Sequence, residues 1–267
     1  MVEPVVTTGA ALVGAAAWFT NKLFGPSVAA MGDAIRNYGT ARIEKILGSA
    51  ADKTDPDEVR ALPPGFGMVF FQKASFSEDN DDLTEMWANL LSTAATNFTN
   101  RHVAYVEILS QLTAFDAKVL AELVPEDQFY DPAMSAPVNL RVELRLRITN
   151  GMRNISESEQ EAQEELQRLL KADLGWPGRI TSARIHYRID KKEFPVSGGV
   201  PDQFAAFDNL ERLGLLEKFD ITNSMKPYET AVEGVLVTML GIGFIQTCRG
   251  ALDGKRLDVP KGASENG

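Results

Sequence analysis

The run from Ser75 to Leu123 constrains the fold more than any other part of this chain. It joins an acidic helix start, a tryptophan-centred apolar stripe and a second amphipathic helix. In Ser75-Phe76-Ser77-Glu78-Asp79-Asn80-Asp81-Asp82 the carboxylates stand where the positive end of a helix dipole favours them. Leu83, Met86, Trp87, Leu90 and Leu91 follow at helical spacing, with Trp87, Leu90 and Leu91 as the expected structural core. After a polar turn, Asn97 to Arg101, the apolar positions Val103, Val106, Ile108, Leu109 and Leu112 mark a helix from His102 to Leu112. Thr113-Ala114-Phe115-Asp116 then has the form of a capping box, which opens a third helix from Phe115 to Leu123. Helices joined by such short connections favour a packed bundle.

Beyond Pro125 the periodicity changes. Leu140, Val142, Leu144, Leu146 and Ile148 alternate with Arg141, Glu143, Arg145, Arg147 and Thr149, the pattern of a strand with one apolar and one largely basic face. Ser156-Glu157-Ser158-Glu159 reads as a capping box for a polar helix reaching about Leu174. A second alternation, Ile180 to Ile189, places Ser182, Arg184, His186 and Arg188 on one face. Arg141, Arg145, Arg147, Arg184 and Arg188 are therefore the candidate anion or nucleic-acid face. The simpler alternative is a solvated sheet face, neutralised by Glu143 and the acidic helix Glu157 to Glu165, since no exposed aromatic set accompanies the arginines for base stacking.

Toward the C-terminus, Phe204, Phe207 and Leu210 mark a helix ending at Gly214, followed by extended stretches from Leu215 to Ile221 and Tyr228 to Val237. A helix followed by a two-stranded wing, with the Phe115 helix as first member, has the form of a winged helix. Asp202, Asp208 and Glu211 against Arg212 make its second helix a poor reader of DNA. The expected fold class is α+β and predominantly helical. It comprises a helical N-terminal region over residues 1–60 and a helical, winged-helix-like domain over 61–250. A strand-helix-strand block is inserted at about 125–195, and 251–267 is a flexible tail.

The N-terminus is a candidate membrane or helix-packing contact. Val5 to Phe19 is rich in alanine and glycine, and Gly9 and Gly14 would let another helix approach closely, with Trp18 and Phe19 at the end of the run. No basic residue precedes it, and it falls short of the roughly twenty residues that a spanning helix needs, so a buried packing helix is the simpler reading.

Composition narrows the chemistry. A formal charge of −10 and a pI near 4.8 repel polyanions at long range. One cysteine, Cys248, fits a reducing cytoplasm, and two histidines leave little material for zinc. Cys248 follows apolar residues without a nearby histidine, and neither His102 nor His186 has an adjacent orienting group. The acids Glu78, Asp79, Asp81, Asp82 and Glu85 lack the loop pattern that preorganises calcium ligands. No phosphate-binding or dinucleotide motif is present. The expectation is therefore a protein without catalytic residues, metal or cofactor.

Gly25-Pro26 with Gly32-Asp33, Leu62-Pro63-Pro64, Ala74-Ser75-Phe76-Ser77-Glu78-Asp79, Met86-Trp87-Ala88-Asn89-Leu90-Leu91, His102 to Ala117, Asp208-Asn209-Leu210-Glu211-Arg212-Leu213-Gly214-Leu215, and the closing stretch Thr238 to Cys248 form one set of segments. Together they resemble the Abi-alpha family, the abortive infection alpha proteins. The resemblance implies a bacterial or prophage-encoded role in phage defence and supplies no catalytic residues. It suits a non-enzymatic cytoplasmic protein that engages a protein partner, a second copy of itself or, through its N-terminal helix, a membrane surface. The alternative is a nucleic-acid-associated regulator using the basic insertion.

Overall fold

A computed structural model describes residues 17–25, 40–124, 142, 145–146, 149–150, 158–171, 174, 177–188, 191–197, 201–225 and 228–249. The chain divides into two compact units, Met1–Gln111 with Gln246–Gly267, and Leu112–Ile245.

Among its described residues the first unit contains helices and the loops that join them, and no strand. After a helical segment at residues 17–24 come α1 (Thr40–Lys53), α2 (Pro64–Phe76), α3 (Asp81–Thr96) and α4 (Asn100–Leu109). Pro63 and Pro64 launch α2, because proline at the first helical position lacks only an N–H that would have no intrahelical acceptor. The apolar stretch from Phe66 is therefore the body of a helix that ends at Phe76. Asn80 caps α3, its side-chain oxygen accepting from the N–H groups of Asp82 at 2.9 Å and Leu83 at 3.3 Å, while Asp81 and Asp82 fill the first turn. Trp87, Leu90 and Leu91 are fully buried as expected, and the Trp87 ring meets Phe70 edge-on at 5.1 Å.

The second unit combines α5 (Ala114–Leu123), α6 (Glu159–Leu170), β1 (Gly178–Tyr187), β2 (Glu193–Ser197), α7 (Pro201–Arg212), β3 (Leu216–Met225) and β4 (Tyr228–Val237). The last helix, α8 (Met239–Arg249), begins in this unit, and its residues from Gln246 belong to the first. The strands form one antiparallel sheet in the order β2-β1-β4-β3. Ile185, Tyr187, Phe194, Phe219, Ile221, Val232 and Leu236 turn to one face, where Ala162, Leu166 and Leu169 of α6 cover them. Gly214, at φ +74, ends α7 in a Schellman motif: Leu215 N–H bonds to the Leu210 carbonyl at 2.9 Å and Gly214 N–H to that of Glu211 at 2.8 Å.

The predominantly helical α+β class is confirmed, with three local corrections. First, the expected strand from Leu140 to Ile148 is helical wherever it is described, at residues 142, 145–146 and 149–150. Leucine, arginine and glutamate are good helix formers, and Val142 and Leu146 are 58% and 56% exposed, so the alternation has no sheet to bury one of its faces. Among the described residues the strand-helix-strand block thus lacks its first strand. Second, α6 starts at Glu159 with Ser158 at its N-cap position, two residues beyond the cap expected at Ser156 and without a side-chain cap hydrogen bond. Third, the helix-then-hairpin succession of α7, β3 and β4 is present, but the hairpin is not a free wing: β4 also pairs with β1 along its whole length.

Candidate functional site

The arginine face is built by β1 and its neighbours. Period-two geometry sends Ser182, Arg184 and His186 to the face away from α6. Cross-strand register then puts Glu229 opposite His186 and Glu233 opposite Ser182 on β4. The Arg184 guanidinium lies 3.6 Å from Glu233, and that of Arg188 lies 3.2 Å from Glu229 and also donates to the Ser224 hydroxyl. On β2, Glu193 stands opposite His186. Arg145 is exposed on its helical segment and donates to the Thr222 carbonyl of β3 at 3.3 Å. Arg141 and Arg147 lie outside the described residues.

The face is therefore charge-balanced at Arg184 and Arg188, and a phosphate would have to displace a carboxylate to reach either. The neutralising acids come from β4 rather than from α6. Their contribution is modest, since exposed ion pairs are worth about 0–1 kcal/mol each. We expect a labelled oligonucleotide to show no salt-dependent retention by the full-length protein. Retention that falls with rising salt and disappears in an Arg145→Glu, Arg184→Glu variant would contradict this.

The acidic run of the first unit finds its partners on α1. Arg42, Lys45, Ser49 and Lys53 recur at intervals of three and four residues, hence on one helix stripe. Lys45 meets Asp81 at 2.6 Å, Ser49 donates to Glu85 at 3.0 Å, and Lys53 pairs with the same Glu85. The Lys45 ammonium lowers the Asp81 pKa, first through their hydrogen bond. Arg42 donates to the Ser77 carbonyl at 2.5 Å and to its hydroxyl at 2.7 Å. These acids zip two helices together in addition to capping one. Among the described residues no group of three or more histidine, cysteine or carboxylate side chains converges as a metal site would require.

The segments that carry the family resemblance are fastened by buried polar groups. Trp87 Nε1–H donates to the Ser77 hydroxyl at 2.9 Å, so this oxygen receives both Trp87 and Arg42. Asn89 donates through Nδ2 to the carbonyl of Cys248 at 3.0 Å, tying α3 to one of the last carbonyls of α8. In the second unit, Asp116 Oδ2 accepts from the Thr113 N–H at 3.0 Å, completing the expected capping box, and from Asn209 Nδ2 at 2.7 Å. Burial pushes the Cys248 thiol pKa upward, away from the reactive thiolate.

His102 has a similar role at the start of α4. Its Nδ1 accepts from the Thr99 N–H at 3.0 Å, the position that glutamate takes in a capping box, and its ring stacks on Phe98. Nε2 is buried with no hydrogen-bond partner, and burial lowers the pKa of the ring. Protonation would put a hydrogen on the capping nitrogen and a charge in an apolar site. An unfolded imidazole takes up its proton near pH 6.5. Between that pH and the lower folded value, only the unfolded state binds the extra proton, so stability is level above about 6.5 and declines as pH falls below it. Melting temperatures between pH 7.5 and 5.5 should fall more steeply for the wild type than for His102→Gln, which keeps an acceptor at the cap. Parallel profiles would contradict the role.

At the N-terminal end the structure separates two residues that the sequence grouped. Phe19 is fully buried, whereas Trp18 is 41% exposed with the Lys22 ammonium 6.0 Å from its ring centre. Gly9 and Gly14 lie outside the described residues. Helix α2 is apolar around most of its circumference: it buries Phe66, Phe70 and Phe71 yet leaves Met68 61% and Phe76 71% exposed. Among the described residues no helix is long and apolar enough to cross a membrane.

Comparison with known proteins finds one family model, described as abortive infection alpha, matching residues 37–248. No curated protein and no solved structure matches the chain.

Proposed function

The chain belongs to the abortive infection alpha family, and with it to phage defence, and we propose that it acts there by binding, without a chemical step of its own. The observation that carries this reading is on α2, where Met68 and Phe76 are 61% and 71% exposed on a helix whose other side is core. A helix apolar on both sides is expected where a second surface completes its burial. The partner is a protein, a second copy of the chain or a membrane surface. The signature residues Trp87, Asn89 and Asp116 support the reading indirectly, since each is committed to holding helices together.

The alternative, a nucleic-acid-associated regulator, draws no support from Arg184 and Arg188, whose charges are met by Glu233 and Glu229. A host carrying the intact gene should plate phage less efficiently than one carrying an interrupted gene. Equal plating across a broad phage panel would contradict the defence role.

A further inference from the structure

We infer that the surface that covers Met68 and Phe76 is the same face of a second copy of this chain, docked antiparallel about a twofold axis. The inference rests on the binding reading above and names the partner for it.

On α2 the residues turned away from the core are Gly65, Met68, Val69, Gln72 and Phe76, which helical spacing places in one straight stripe. Its centre lies between Val69 and Gln72, and its two ends differ in shape. Phe76 is a knob, whereas at Gly65 nothing lies within 4 Å of where a Cβ would stand. A second α2 laid end for end against the first sets Phe76 of each copy over Gly65 of the other and Val69 against Gln72. An isologous interface needs this property, that a residue meeting another is met by it in return.

Helix α4 lies beside α2 and runs the same way. The Phe66 ring near the start of α2 meets that of Phe98, just ahead of α4, at 5.1 Å, and Lys73 near the end of α2 pairs with Glu107 at 2.8 Å. The outward residues Asn100, Val103, Ala104 and Glu107 form a second stripe, centred between Val103 and Ala104 and level with the centre of the first. The same twofold therefore sets α4 against its own copy, with Val103 and Ala104 at the axis. Arg101, exposed in the first turn, then stands opposite the Glu107 carboxylate of the second copy, at both ends of the interface. This is the charge complementarity that selects a second copy, and selects its direction: in a parallel docking Arg101 would meet Arg101. The net charge of −10 on each copy opposes association at a distance, but salt screens it beyond about 8 Å.

Sedimentation equilibrium of the full-length protein at roughly 1–100 μM tests this. The wild type should sediment as a reversible dimer. Met68→Asp, Phe76→Asp should weaken the dimer about a hundredfold, because a twofold interface loses each buried side chain twice. Arg101→Glu and Glu107→Lys each carry the sign that suits their end of α4 and should fold; each alone should weaken the dimer about tenfold by setting like charges together. An equimolar mixture of these two should associate as tightly as the wild type, since opposite charges meet again at both ends. A wild type that is monomeric throughout, a Met68→Asp, Phe76→Asp protein that stays dimeric, or a mixture no tighter than its components overturns the inference. If the wild type is monomeric while the Met68→Asp, Phe76→Asp protein no longer restricts phage, the second copy is excluded and the binding reading stands.

Discussion

Replacing Trp87 with alanine is expected to destabilise the first unit by about 3–5 kcal/mol, the range for removing a large buried aromatic side chain. Trp87 is fully buried, its ring meets the edge of Phe70, and its N–H satisfies the Ser77 hydroxyl. Truncation opens a cavity and removes one of the two donors that fix Ser77, leaving Arg42 to hold it alone. Trp87→Phe separates the terms, since it retains most of the apolar volume but loses the hydrogen bond, so it should cost less than the alanine variant, with about 1 kcal/mol as the bond's share. Denaturant unfolding of the two variants checks the ordering. An alanine variant as stable as the wild type would remove Trp87 from the core.

Gly234→Ala should cost about 3 kcal/mol, the upper end of the overpacking range, for a different reason. Gly234 sits in β4 between β1 and β3, opposite Ile180 on one side and Phe219 on the other. An added Cβ would lie 2.4 Å from the Arg179 carbonyl oxygen and 2.4 Å from the Phe219 ring. A rotamer change can displace the ring, but the carbonyl belongs to a paired strand and cannot move without breaking the ladder. Gly65→Ala in α2 is the control: nothing lies within 4 Å of its added Cβ, and alanine favours the helix. Unfolding midpoints should therefore fall for Gly234→Ala and hold or rise for Gly65→Ala. Equal responses would mean that β4 is not clamped from both sides.

The local elements were legible because their causes are local. The Thr113–Asp116 capping box needs only four consecutive residues, and the stripe from Leu83 to Leu91 needs only helical spacing and a core to face. The alternation at Ile180 was likewise readable, since Ala183, Ile185 and Tyr187 do turn inward. The same rule failed at Leu140, where alternation in an exposed segment carries no information about burial. Nor could the sequence reveal which charges neutralise Arg184 and Arg188, because register across β1 and β4 joins residues that are distant in the chain. The basic stripe of α1 was a missed signal rather than an absent one: Arg42, Lys45 and Lys53 lie at helical spacing and match the acids beyond Ser77. The Asn89–Cys248 and Asp116–Asn209 bonds each join two distant segments among those that carry the family resemblance. Each segment supplies half of a buried fastening.

The exposed side chains of α2 were harder to read, since an apolar run after two prolines gives no sign of which side will be covered. Met68 and Phe76 carry the functional account, and the efficiency of plating on a host producing the Met68→Asp, Phe76→Asp protein is the most direct test of it. Surface substitutions of this kind change stability by about 0.5 kcal/mol or less, so the variant should melt within a few degrees of the wild type. The account predicts that this folded protein no longer restricts phage. Full restriction by the folded variant would contradict it and place the working surface elsewhere.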